Sequence, residues 1–195
     1  MKINKTYTGF TGVVSTGRYA LFILLDKHGV EMTHENLVLT CINYNRVVLL
    51  GKDDQDVLEQ NNEITKLIKA TITKNSSTMF EIHTLGTKRP KGFNAINNTE
   101  FIVYPQLKHT GKEFADRIYG EVLSWLNDCD SKFVFSIITK DDFDEVNLLV
   151  QDYCIKKSNI YLCPKNLDDK DLQMVKDLAK IVCYNITLAF DKVFW

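Results

Sequence analysis

Cysteine is scarce and scattered in this sequence: Cys41, Cys129, Cys154, Cys163 and Cys183 are its five, and the nearest two, Cys154 and Cys163, stand nine positions apart. No CxxC pair exists, which removes the ribbon-type zinc site and the thioredoxin-type dithiol. An odd number of thiols without an export signal is expected to stay reduced, and such thiols mostly serve as small buried apolar groups. An excess of either charge is also missing: 24 basic residues face 25 acidic ones, for a formal net charge of -1. No global field therefore favours a nucleic acid or an anionic membrane, and neither is expected as a partner. The longest apolar runs, such as Tyr19 to Leu25, fall far short of the ~20 residues of a spanning helix. The N-terminus shows no signal-peptide pattern, so a cytoplasmic protein is expected. A P-loop, a GxGxxG turn and a Ser-His-Asp order are all absent. His28 and His34, six positions apart, match no standard metal spacing. Asp53, Asp54, Asp56 and Glu59 lack the ligand spacing and central glycine of an EF-hand and read as a solvated acidic helix start.

What is present is a chain of 195 residues, 45% of them hydrophobic, enough for one sizeable core and too short for two typical domains. A single domain over residues 1–195 is expected. Short blocks rich in β-branched and aromatic residues read as strands: Tyr19 to Leu25, Leu37 to Ile42, Arg46 to Leu50, Met79 to His83, Glu100 to Tyr104, Lys132 to Ile138, Asn159 to Cys163 and Asn185 to Phe190. Amphipathic stretches alternate with them: Val57 to Ala70, Gly111 to Asn127, Asp141 to Lys156 and Asp168 to Val182. The last has Asp168, Asp169 and Asp171 at its start and Leu172, Val175, Leu178 and Ala179 on one face, the pattern of a capped surface helix. Parallel strands need crossover connections and are buried on both faces, so this alternation predicts an α/β fold around a parallel sheet. Lys88 to Thr99, with Pro90, Gly92 and three asparagines, reads as a loop inside that domain.

Several segments resemble, in order, the 7-carboxy-7-deazaguanine synthase family of radical-SAM enzymes. Ile3, Asn4 and Tyr7, then Gly12, Gly17 and Ala20 to Leu25, resemble its first strand and turn. Val47 to Gly51 resembles the strand running into Gly-Gly-Glu-Pro, Glu81 to Thr87 resembles E-I-E-T-N-G-T, and Val103 to Lys108 resembles V-S-P-K-L-K. Lys132 to Val134 is similar to a K-F-V strand, Tyr161 to Pro164 to F-L-M-P, and Asn185 to Trp195 to the closing strand. The similarity spans nearly the whole chain apart from a shortened region around Asp26 to Asn45. It implies a partial, mostly parallel (β/α) barrel of radical-SAM type, reduced in size.

The departures fall where the family's chemistry sits. Members place three cysteines after the first strand, because a [4Fe-4S] cluster needs thiolate ligands and one open iron for S-adenosylmethionine. Here that place reads Asp26, Lys27, His28, Gly29, Val30, and Cys41 is the only thiol in the region. Gly51, Lys52, Asp53 and Asp54 stand where Gly-Gly-Glu-Pro meets the methionine amine, and a lysine there repels an ammonium group. Val13 replaces the glutamate of Q-G-E-G beside Val14, His83 the second glutamate of E-I-E-T, Leu85 an asparagine, Tyr104 a serine and Gln106 a lysine. Leu24 stands for an arginine and Asp191 for a histidine. Gly86, Thr87, Pro105 and Pro164, which set backbone geometry, are kept.

This pattern leads to the expectation of a non-catalytic protein without a cofactor or metal, acting through protein contacts as a regulator, adaptor or structural subunit. The resemblance also implies a homodimer. Lys88, Arg89 and Lys91 beside Phe93 form, with Lys108, His109 and Lys112, the densest basic region, and they join Phe194 and Trp195 as the expected partner contacts. Val193, Phe194 and Trp195 alternatively tuck against the barrel mouth, which Val13, Val14, Leu24 and Leu85 would help to fill. The competing expectation is a binding module whose remodelled pocket, with His83, Thr84, Thr87 and Lys132, takes a purine, pterin or nucleotide. A new cluster-independent reaction ranks last, since no acid, base or nucleophile set converges in the sequence. Richness in Asn, Lys and Ile fits an AT-rich genome such as that of a phage or virus.

Overall fold

Alternating apolar strands and amphipathic segments build an open sheet with helices on one side. The computed structural model describes residues 1–12, 17–93, 96–166 and 168–187. The strands are β1 (Lys2–Phe10), β2 (Tyr19–Leu25), β3 (Val30–Glu31), β4 (Arg46–Gly51), β5 (Met79–Thr84), β6 (Thr99–Val103), β7 (Lys132–Ile137), β8 (Ile160–Pro164) and β9 (Asn185–Ile186). They form one sheet in the order β3-β1-β2-β4-β5-β6-β7-β8-β9. β1 runs antiparallel to both β2 and β3, and every pair from β2 to β9 is parallel. The helices are α1 (His34–Cys41), α2 (Asn61–Lys74), α3 (Phe114–Arg117), α4 (Gly120–Asp128), α5 (Lys140–Asp152) and α6 (Asp169–Val182). No helix among the described residues is long and apolar enough to cross a membrane.

Side chains alternate across a strand, and here the alternation separates two faces. Leu21, Ile23, Leu25, Val47, Leu49, Phe80, Ile82, Phe101, Val103, Phe133 and Phe135 join the buried faces of the helices in the main core. α2 contributes Ile64, Leu67 and Ile68 to it, and α5 contributes Phe143, Val146 and Leu149. The opposite, inner face carries two smaller apolar clusters: Ala20, Phe22, Leu24, Val48 and Leu50 on one side, and Ile102, Tyr104, Val134 and Cys163 on the other. Burial on both faces explains why β2 and β4 are continuous apolar runs. Right-handed crossovers place successive helices on the same side of a parallel sheet, so the inner face is left to side chains alone.

Local chemistry sets the helix starts. The Thr139 hydroxyl accepts from Asp142 N while the Asp142 carboxylate accepts from Thr139 N, a reciprocal cap on α5. Asp168 caps α6 by accepting from Asp171 N.

The structure corrects three sequence expectations. Leu37 to Ile42 forms most of α1 rather than a strand: Thr33 caps it, and Leu37, Val38 and Cys41 fall on one buried helical face. Gly111 to Asn127 is broken, because Gly111 turns left-handed at φ 76° and Ile118 leaves α3 with extended backbone. Val57 to Ala70 divides into a 3-10 turn at Val57–Gln60 followed by α2. Of the expected last strand, only Asn185 and Ile186 are in β9; residues 188 to 195, with Asp191, Val193, Phe194 and Trp195, lie outside the described residues, as do Val13 and Val14.

Candidate functional site

In α/β folds of this kind the strand ends and the loops after them carry function. Between the two inner apolar clusters, β4, β5 and β6 place a chain of polar side chains. Arg46 Nη1 donates to Glu81 Oε2 at 2.8 Å and reaches Glu100 Oε2 at 3.4 Å. Glu81 Oε1 lies 2.6 Å from His83 Nε2, and His83 Nδ1 lies 3.1 Å from the Tyr104 hydroxyl. Arg46, Glu81, His83 and Tyr104 are all buried. Burial pushes the Glu81 carboxyl up, but the His83 hydrogen bond and the His83 and Arg46 charges outweigh it and hold the group below the usual carboxylate range. An ionised Glu81 only accepts, so Nε2 of His83 carries a proton in this contact.

The chain ends at a cavity. Tyr104 lines a pocket of about 310 Å³ with Asp54, Leu85, Gln106, His109, Thr110 and Lys165. Lys112 bridges its rim, with Nζ 3.0 Å from Gln106 Oε1 and 2.9 Å from Asp54 Oδ2. Leu85 packs on Ile102, Tyr104, Val134 and Cys163 beneath it.

A second polar cluster lies where β2 and β4 end. Asp26 Oδ2 accepts from Lys52 Nζ at 3.1 Å and from Asn4 Nδ2 at 3.3 Å, and Oδ1 accepts from His28 N at 2.9 Å. The His28 N–H and then Lys52 hold the Asp26 carboxyl below its ordinary range, and Asp26 in turn raises Lys52. The turn behind Lys52 admits only glycine at position 51, since a Cβ there would sit 2.0 Å from the Gln55 carbonyl oxygen.

The residues expected to share a pocket are divided: Thr84 and Thr87 converge on Asp56, while His83 and Lys132 find other partners. His83 faces inward, whereas Thr84, the next residue along β5, faces the other way and donates to Asp56 Oδ1 at 2.8 Å. Thr87 donates to Asp56 Oδ2 through both N and Oγ1, at 3.0 and 2.8 Å. Lys132 turns its Nζ to Asn159 Oδ1 at 2.7 Å, near the start of β8. Asp56, read from the sequence as part of a solvated helix start, is buried and tied to β5. Among the expected partner contacts, Phe93 is buried against Phe101 and Arg89 lies over the Trp125 ring at 5.7 Å. Lys88 and Lys91 are exposed and line a shallow groove with Glu59 and Glu63.

A radical-SAM cluster does not fit these residues. The loop after β2 offers Asp26, Lys27 and His28 and no thiol. Cys41 is buried under α1, and burial pushes its thiol up to about 12, which keeps it protonated at neutral pH. Cys129, Cys154 and Cys183 follow α4, α5 and α6, so the crossover geometry puts them toward the N-terminal ends of the strands, away from that loop. Among the described residues no group of three His, Cys, Asp or Glu side chains is placed to hold a metal.

The sheet is open and mostly parallel, with helices on its outer side, and does not close into a barrel. Neither the family models nor the curated proteins gave a match to the chain. Among solved structures, the crystal structure of QueE from Escherichia coli, a 7-carboxy-7-deazaguanine synthase, superposes with a TM-score of 0.69 at 17% identity, covering 96% of this chain and 92% of that one. The fold is therefore QueE-like.

Proposed function

We propose that this chain is a non-catalytic descendant of the deazaguanine synthases that works in the cytoplasm through protein contacts, as a regulator, adaptor or structural subunit. One observation carries the reading: the loop after β2, where a cluster-bearing relative would need three thiolates, holds none, and its Asp26 pairs with Lys52. The inner face supports it. Phe22, Leu24, Leu50 and Tyr104 are buried there, and Tyr7 stacks on Phe22 with ring centroids 5.0 Å apart. These side chains pack the inner face between the strand ends.

Anaerobic reconstitution with iron and sulfide tests this. The expected absorption spectrum has no cluster band, and the expected protein-bound iron is far below stoichiometry. A stoichiometric [4Fe-4S] signal overturns the reading.

A second reading draws support from the 310 Å³ cavity, whose Gln106, Thr110, Lys165 and Tyr104 offer both donors and acceptors to a small polar ligand. A purine, pterin or nucleotide bound there would raise the melting temperature, because it binds only the folded chain. Thermal-shift titration is expected to give no shift if protein contacts are the whole function, and a saturable shift abolished by Tyr104→Phe if the pocket is used.

A further inference from the structure

A second groove, on the helical side of the molecule, has the chemistry of a docking surface. It measures about 600 Å³ and runs between α5 and the segment from Lys108 to Phe114. Its apolar components are in solvent: Leu148 is 59% exposed and Phe114 50% exposed. Exposed large apolar side chains gathered in one concavity mark interaction sites more often than scattered ones do.

The groove is built rather than incidental. Arg117, itself buried, lies over the Phe114 ring at 5.4 Å and donates to Gln106 O at 3.0 Å. Arg117 also pairs with Glu145 of α5, whose Oε2 accepts from Lys108 N at 2.7 Å. His109 Nδ1 contacts Asp142 Oδ1 at 2.8 Å. These contacts fix the two walls against each other, so little ordering is left for binding to supply.

Charge decides what such a groove takes. Of its acidic residues, Glu145 is committed to Arg117 and Asp142 to His109. Asp141, Asp144 and Asp152 have no partner among the described residues, and Lys108 is the groove's remaining cation. Asp144, Leu148 and Asp152 recur four residues apart, so they form one stripe along the outward face of α5. The complement of that stripe is a helix carrying Lys or Arg, then Leu, then Lys or Arg at the same spacing.

We infer that the α5 groove docks a basic amphipathic helix of a partner protein, with an apolar anchor between Phe114 and Leu148 and flanking cations on Asp144 and Asp152. This inference rests on the protein-contact reading above. The two fail separately, because cluster reconstitution does not involve α5.

The test uses the full chain and a dye-labelled, alanine-based helical peptide bearing Lys, Leu and Lys at four-residue spacing. Fluorescence anisotropy is expected to show saturable binding that weakens with salt. Leu148→Gln is expected to weaken it roughly tenfold, as is the double reversal of Asp144→Lys with Asp152→Lys. The double reversal should in turn bind the matching Glu, Leu, Glu peptide better than the original chain does. Both changes are at surface positions, and an unchanged melting temperature confirms that the fold is intact. Absence of saturable binding overturns the inference, as does binding indifferent to Leu148→Gln or to charge reversal. A dimer in sedimentation equilibrium that Leu148→Gln dissociates also overturns it, since a second copy would then own the groove.

Discussion

Replacing Arg46 with alanine is expected to lower the unfolding free energy by about 3 to 5 kcal/mol, the usual cost of leaving one partner of a buried ion pair alone. Arg46 is 5% exposed and Glu81 1% exposed, so water cannot take over the role of the guanidinium. Glu81 would keep His83 but lose its 2.8 Å contact to Nη1. The double variant Arg46→Ala, Glu81→Ala should lose clearly less than the sum of the single changes, because it removes both charges together. Urea unfolding measures all three. A loss below about 1 kcal/mol for Arg46→Ala, the scale of a surface pair, would mean that the pair is solvated and the inner face open.

The same network has a pH signature. The Glu81 carboxyl lies below its ordinary value of 4.5 in the folded chain. Its contribution is therefore fully present above that value and is lost as the pH falls through the lowered one. The difference in stability between the original chain and Glu81→Gln should be largest near neutrality and shrink on acidification below about pH 4.5. Comparing the two chains cancels the separate contributions of Asp26, Asp130 and Asp142, which are also held low.

Asp56→Ala should cost nearly as much, about 3 kcal/mol, since a charged acceptor lost from a buried site strands its donors. Four donors converge on this carboxylate: Leu58 N at 3.0 Å, Thr84 Oγ1 at 2.8 Å, and Thr87 N and Oγ1 at 3.0 and 2.8 Å. Asp56→Asn should lose less, because the amide keeps one accepting oxygen. Equal losses for the two variants would show that shape rather than hydrogen bonding holds the β4–α2 connection to β5.

Much of the architecture is legible in the sequence because it is local. The runs in β2, β4 and β7 are apolar at nearly every position, and the acidic starts and apolar stripes of α5 and α6 declare their helices. Leu37 to Ile42 misleads because a short apolar run fits either period, and only the Thr33 cap and the one-sided burial decide it. Asp26 and Lys52, singled out by the resemblance, follow β2 and β4 as the sequence order suggests. Their mutual pairing is not legible, since it joins strands 26 residues apart. Asp56 is the clearest failure of sequence reading. Its partners Thr84 and Thr87 are 28 and 31 residues away, and an acidic run beside a helix looks the same whether solvated or buried. His83 and Thr84 of the expected pocket part for an equally physical reason, because neighbouring residues on a strand face opposite ways.

The proposed absence of cluster chemistry is tested most directly by incubating anaerobically reconstituted protein with S-adenosylmethionine and a strong reductant, then measuring 5′-deoxyadenosine. The account predicts none above a protein-free control. Deoxyadenosine formed in proportion to protein concentration would contradict it.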